Sequence, residues 1–334
     1  MLTEDERKRE IERRKGAGDL SIPSADDGSG KIQYFANTEH EMRLVASNGI
    51  YRVLLSDDID PDVTAKNVPW VVQKESSEGA THPAIARTLG QFDALNRDVW
   101  LKGVNDLVVR HALTVAKTIC MCDSLLEQLH TAIEKGAGQV VAAGRSAVSV
   151  QPFDQYDSTC RSFFGFAKVA ITSCTHLLID AFGIPDVYPG NWKKAVDALG
   201  KLPGCSDASA RLLEREPFCK SVTDTRNAIE HPTAVLWFET RNFTLMPDGK
   251  VMVPTFRRHE GGKAVTGYMD YPRNAENIVE RLIDLAEHTI IEIALSKTEA
   301  PWPIVIEKMA DDKVDPESPA RYRGHIILPK EFRR

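Results

Sequence analysis

The sequence predicts a mainly α protein: a helical bundle over residues 89–298, with a small β-hairpin insertion and accessory N- and C-terminal segments. Three observations carry that expectation. A seam through Val108, Ala112, Val115, Ile119, Cys122, Leu126, Leu129 and Ile133 alternates steps of four and three, which draws one apolar stripe along an α-helix. Phe163, Phe164, Ala167, Ala170, Ile171, Cys174, Leu177 and Leu178 follow a helical period with few charges between them, the pattern of a helix buried among others. Ile278, Leu282, Leu285 and Ile293 mark a third long helix near the end.

Each element follows in chain order. Residues 1–30 start with mixed charge and end in "SIPSADDGSG", the composition of a mobile arm. Residues 31–88 form an accessory region of mixed structure, with strand-like "KIQYFA" and "IYRVLLSD" and then loop signals in "DPDV" and "NVPW". The first seam predicts one helix from Gln91 to Lys135, ended by Gly136 and Gly138. The second predicts a helix over Asp157–Phe182, stopped by "GIP" at 183–185. Asn191 is placed to cap a short helix, "WKKAVDALG", and Ser206 another. Phe218, Val222, Thr225 and Ile229 share one face of a helix ending at His231, with Ile229 at the centre of the buried face. Pro-Asp-Gly between two apolar, β-prone runs predicts a hairpin near 235–256. A final helix runs from Arg273 to Ser296, and residues 299–334 form a C-terminal extension.

Composition narrows the function classes. The 334 residues are 42% hydrophobic and 27% charged, with a net charge of −6. A general nucleic-acid coat would be basic, so any such contact here must come from local patches. The six cysteines form no C-x-x-C pair and read as reduced core thiols of a cytoplasmic protein. The N-terminus lacks the apolar core of a signal peptide, and no uninterrupted apolar run approaches membrane-spanning length, so no membrane partner is expected. No P-loop, G-x-S-x-G elbow or H-E-x-x-H occurs. Cys174 and His176 would point about 160° apart on a helix, so no shared metal is expected, and His176 reads as a hydrogen-bonded core histidine. Neither a metal nor a cofactor is called for.

The stretch with chemical content is "TDTRNAIEHP", residues 223–232. If Ile229 faces the core, Asn227 and His231 lie on the opposite side, about 40° from each other, with Arg226 on the flank and Glu230 one turn beyond it. An unremarkable account is available: an Arg226–Glu230 pair at i,i+4, His231 complementing the helix C-terminus, and Pro232 ending the helix. A chemical account uses the same geometry. RNA is cleaved when its 2′-hydroxyl attacks the adjacent phosphate, which requires proton transfer and positive charge at phosphorus. Arg226 supplies permanent charge and fork-shaped donors, His231 supplies proton transfer, and Asn227 is placed to support the imidazole. Two such helices meeting across a dimer would offer both sets to one groove.

Arg226-Asn227-Ala228-Ile229-Glu230-His231 resembles the R-x(4–6)-H motif of the HEPN superfamily, with the polar residue common after the arginine. The resemblance implies a helical domain that commonly dimerises and a metal-independent endoribonuclease site formed from paired motifs. It also implies roles as toxins, RNA-processing enzymes or antiviral defence effectors. The expected partners are single-stranded RNA, a second copy of the chain, and an inhibitory or regulatory protein. Other members of the superfamily are non-catalytic, so an interaction or nucleotide-sensing module is the alternative. Spacing alone is a loose signal: Arg281 and His288 also fit R-x6-H, with the apolar Leu282 after the arginine. Candidate RNA contacts are Arg257, Arg258, Lys193, Lys194, Arg333 and Arg334, and Trp237 and Phe238 are candidate stacking rings that also suit packing of the hairpin.

Overall fold

The computed structural model describes residues 30–38, 41–55, 70–99, 105–142, 147–265, 267–298, 303–317 and 319–327. The charged arm, "DPDV", most of "NVPW", and Arg333 and Arg334 lie outside the described residues. Two compact units emerge: residues 1–110 with 297–334, and residues 111–296.

The first unit contains an antiparallel sheet in the order β1 (Ile32–Phe35), β2 (Met42–Ala46), β3 (Gly49–Leu55), β4 (Trp70–Ser76). Leu44, Ala46, Tyr51 and Val53 form a buried cluster in it. A short helical turn (Pro83–Ile85), a buried π-helical turn (Ala86–Gly90) and α1 (Gln91–Val99) follow. The terminal hairpin, β13 (Ile304–Lys308) with β14 (Tyr322–Ile326), returns to α1. There the buried Gln91 side chain donates to the Tyr322 carbonyl at 2.8 Å and accepts from the Arg321 and Tyr322 N–H groups at 2.9 Å each.

The second unit is built on α2 (Asn105–Glu134, which starts in the first unit), α3 (Tyr156–Phe182), α4 (Trp192–Leu199), α5 (Ser206–Leu213), α6 (Glu216–Glu230) and α7 (Tyr271–Lys297, which ends at its border). Its sheet joins β7 (Leu236–Arg241) to β10 (Thr255–Glu260), with β11 (Lys263–Ala264) and β12 (Met269–Asp270) also on β10. Two small hairpins, β5–β6 (Val140–Ala142, Val148–Val150) and β8–β9 (Thr244–Leu245, Val251–Met252), complete it.

The mainly α expectation is therefore corrected: the chain is a mixed α/β fold, and among the described residues the strands form five antiparallel sheets beside the long helices. The physical reason is strand length. Most strands have two to six residues, too few for a period-two pattern to stand out against helical seams tens of residues long. Nor is the hairpin a peripheral elaboration. Phe238 on β7 and Phe256 on β10 are buried, with ring centroids 5.8 and 5.1 Å from Phe164 on α3. The Tyr156 hydroxyl donates to the Thr255 carbonyl at 2.8 Å. The sheet is part of the core.

Other expectations resolve locally. Of the expected 91–135 helix, the described residues form α1, up to Val99, and α2, from Asn105; the seam from Val108 to Leu129 is buried as drawn and Ile133 is exposed. Gly183 ends α3 in the left-handed region at φ 64°, where a glycine costs least. Asn191 caps α4 by accepting from the Lys194 N–H at 3.0 Å, but α5 is capped at Cys205 with Ser206 inside it. All six cysteines are free. By length and composition α3 could cross a membrane, yet 56% of its apolar window is buried inside the protein.

Candidate active site

Helix α6 buries Phe218, Cys219, Val222, Thr225 and Ala228. Ile229, expected at the centre of that face, is only half-buried. Ala228 holds the C-terminal end down instead. The opposite flank presents Thr223, Arg226, Asn227 and Glu230 to a groove of about 780 Å³ whose other wall is α3 and the loop after it.

Arg226 and Asn227 both line this groove. Arg226 also makes the expected i,i+4 ion pair with Glu230, both side chains being partly exposed. A pair so exposed contributes about 0.3–0.5 kcal/mol, weak enough for a phosphate to displace it. His231 is different. It is the C-cap of α6, exposed, and is joined to Asn227 by its backbone N–H donating to the Asn227 carbonyl at 2.9 Å. It does not line the groove of its own chain.

The groove holds residues that sequence reasoning placed elsewhere. His176, read as a core histidine, is half-buried and lines the groove. Its ring stacks on His111 of α2, with centroids 5.9 Å apart and planes 4° from parallel, and His111 Nε2 lies 2.7 Å from Asp180 Oδ2. Cys174, two positions away, is buried, so the two side chains diverge as the helical angle predicts. Lys168 of α3 also lines the groove and donates to the Gly190 carbonyl at 2.7 Å. Burial pushes its ammonium below the usual lysine range, and the Arg226 charge pushes the same way. The available signal for both residues was position: at i and i+8 on one helix they fall about 80° apart, on the flank beside the apolar stripe.

The expected RNA contacts do not join this groove. Arg257 is held by Glu239 at 2.7 Å. Arg258, largely buried, donates to the Ser221 carbonyl at 3.2 Å and to Thr225 Oγ1 at 3.4 Å, tying β10 to α6. Lys193 pairs with Asp197 at 2.8 Å and lines a separate pocket with Lys220 and Asp224. Lys194 is exposed on α4. Trp237 stacks on His259 with centroids 4.1 Å apart, and Phe238 is core. Arg281 lies over the Phe218 ring and His288 bonds the Asp284 carbonyl, so the second R-x6-H spacing belongs to packing on α7.

No protein-family model, curated protein or solved structure matches this chain.

The chemistry must then be judged from the groove. Among the described residues no group of three or more His, Cys, Asp or Glu side chains forms a metal-binding cluster. Cysteine is poorly suited to act as a nucleophile here: burial pushes the Cys219 thiol, on the buried face of α6, up to about 12, so it carries almost no thiolate at neutral pH. What the groove offers is two cations, a carboxylate paired with one of them, an amide, an imidazole and hydroxyl groups. Side chains of these types are the ones that chemistry uses to hold an oxyanion and to transfer protons.

Proposed function

We propose that the protein is a metal-independent endoribonuclease of the HEPN type, acting at a composite site where two copies bring their α6 ends together. The observation that carries this reading is the end of α6: Arg226 and Asn227 open onto a groove, while His231 points away from the core at the exposed C-cap. An imidazole outside its own groove is available to a neighbouring one.

In the reaction, a base takes the proton of the 2′-hydroxyl, and the 2′-oxygen bonds phosphorus as the P–O5′ bond breaks. A proton is delivered to the leaving 5′-oxygen, giving a 2′,3′-cyclic phosphate and a 5′-hydroxyl end. Arg226 stabilises the charge on the phosphoryl oxygens, and His231 donates the proton to the leaving oxygen. Asn227 supports the His231 imidazole. General acid–base and electrostatic contributions of this kind are each worth about 10²–10⁴-fold in rate.

The test is RNA cleavage in EDTA by the wild-type protein, Arg226→Ala and His231→Ala. The expected outcome is cyclic-phosphate ends from wild type and a loss of at least about 10²-fold in either variant. Unchanged cleavage by His231→Ala would sink this mechanism. The Arg226–Glu230 pair favours a second reading, a non-catalytic nucleotide-sensing or interaction module in which Glu230 keeps the arginine occupied. No cleavage by wild type or by Glu230→Gln, from a stable dimer, would select it.

A further inference from the structure

We propose that the α3–α6 groove of each single chain binds one nucleotide unit, with its phosphate between Lys168 and Arg226 and its base against Tyr188. The polymer this unit belongs to rests on the ribonuclease reading; the nucleotide contact itself does not.

Charge points to the phosphate. In a chain of net charge −6, the lining of this groove contains two cationic side chains, Lys168 and Arg226, and one carboxylate, Glu230, which is already paired with Arg226. The rest of the lining is uncharged apart from the titratable His176. The Gly190 carbonyl takes one donor of the Lys168 ammonium, and an ammonium has three. Drawing two half-buried cations toward each other is unfavourable by itself; a phosphate between them reverses the sign.

Tyr188 points to the base. It is 78% exposed, although a tyrosine ring gains free energy from burial, and it lines the groove beside Lys168. A Cβ on Gly190 would lie 2.3 Å from Tyr188 Cε1, so the ring rests directly against the glycine backbone. Lys168 holds the carbonyl of that same glycine. One residue thus fixes the spacing between the cation and the ring. The groove, about 780 Å³, falls within the roughly 300–1,000 Å³ typical of small-ligand sites. Exposed aromatic rings stack unpaired bases with little sequence preference.

Uridine 3′-monophosphate, uridine and inorganic phosphate provide the test, each titrated into the full-length protein and followed by calorimetry and by the His176 ring proton in NMR. Lys168→Gln should weaken the mononucleotide and inorganic phosphate roughly tenfold. Tyr188→Ala should weaken the mononucleotide and uridine roughly tenfold and leave phosphate unchanged. Because Tyr188 is exposed, its removal leaves the fold intact and keeps the test decisive if Lys168→Gln folds poorly. No mononucleotide binding by wild type at millimolar concentration, or wild-type binding by Tyr188→Ala, overturns the proposal. The two readings fail separately. Binding that weakens as stated, in a protein that cleaves no RNA, removes the ribonuclease and keeps the nucleotide site. RNA cleavage that needs His231 but is unaltered in Lys168→Gln and Tyr188→Ala keeps the ribonuclease and removes the nucleotide site.

Discussion

At the residue scale, position within a helix turn decides chemistry here. His231 and His176 are both histidines near the end of an otherwise apolar pattern, yet one caps α6 in solvent and the other lines a groove. Helical geometry expects His231 to face outward, and it is exposed; His176, expected in the core, lies half-buried on the flank of α3, stacked on His111 of α2. Core residues behave more simply. Phe256 is 1% exposed within the aromatic cluster, so Phe256→Ala should cost about 3–5 kcal/mol in denaturant unfolding. A smaller loss would show that the β-sheet is not integral to the core. Gly183 has φ 64° with nothing within 4 Å of an added Cβ. Gly183→Ala should therefore cost only the backbone strain, about 1–2 kcal/mol, with no effect on any groove residue; chemical-shift changes at Lys168 or His176 would contradict that.

At the element scale, the sheet around β10 carries an electrostatic knot. The Glu239 carboxylate accepts from the Tyr268 hydroxyl, from Arg257 Nε at 2.7 Å and from His259 Nε2 at 3.2 Å. The Tyr268 hydrogen bond first, then Arg257 and His259, hold its pKa down to about 2. Because the folded value lies below the usual carboxylate value of about 4.3, this stabilisation is complete above that value and is lost as pH falls toward 2. The melting-temperature gap between wild type and Glu239→Gln should be full at neutral pH and close progressively below about pH 4.5. A gap independent of pH would mean that the glutamate acts through packing alone. The cluster also shows what sequence could not reveal. Arg257 had the composition of an RNA contact, but cross-strand pairing with Glu239 commits it to the sheet.

At the scale of the whole molecule, the terminal segments read as separate accessory regions in the sequence, and the fold joins them into one unit. The Gln33 side chain does this directly, donating to the Glu317 carboxylate at 2.8 Å, and Gln91 on α1 bonds backbone groups of residues about 230 positions away. Pattern reading works within windows of tens of residues and has no access to such pairings. The composite-site reading makes its own prediction here. The protein should sediment as a homodimer, and an equal mixture of Arg226→Ala and His231→Ala chains should regain part of the lost cleavage, since a mixed dimer restores one complete site. A monomer with full activity would rule the composite site out.

The sequence by itself determined the long helices, the helix end that presents Arg226, Asn227 and His231, and the turns at Gly183 and Asn191, because these follow from helical periodicity and capping chemistry within a few residues. Only the tertiary structure decided that the sheets share the core, that Ala228 and not Ile229 anchors the end of α6, and that His176, Lys168 and Tyr188 border the same groove as Arg226. Those outcomes depend on which surfaces meet across long sequence separations, where burial and charge are set by neighbours that no local pattern names.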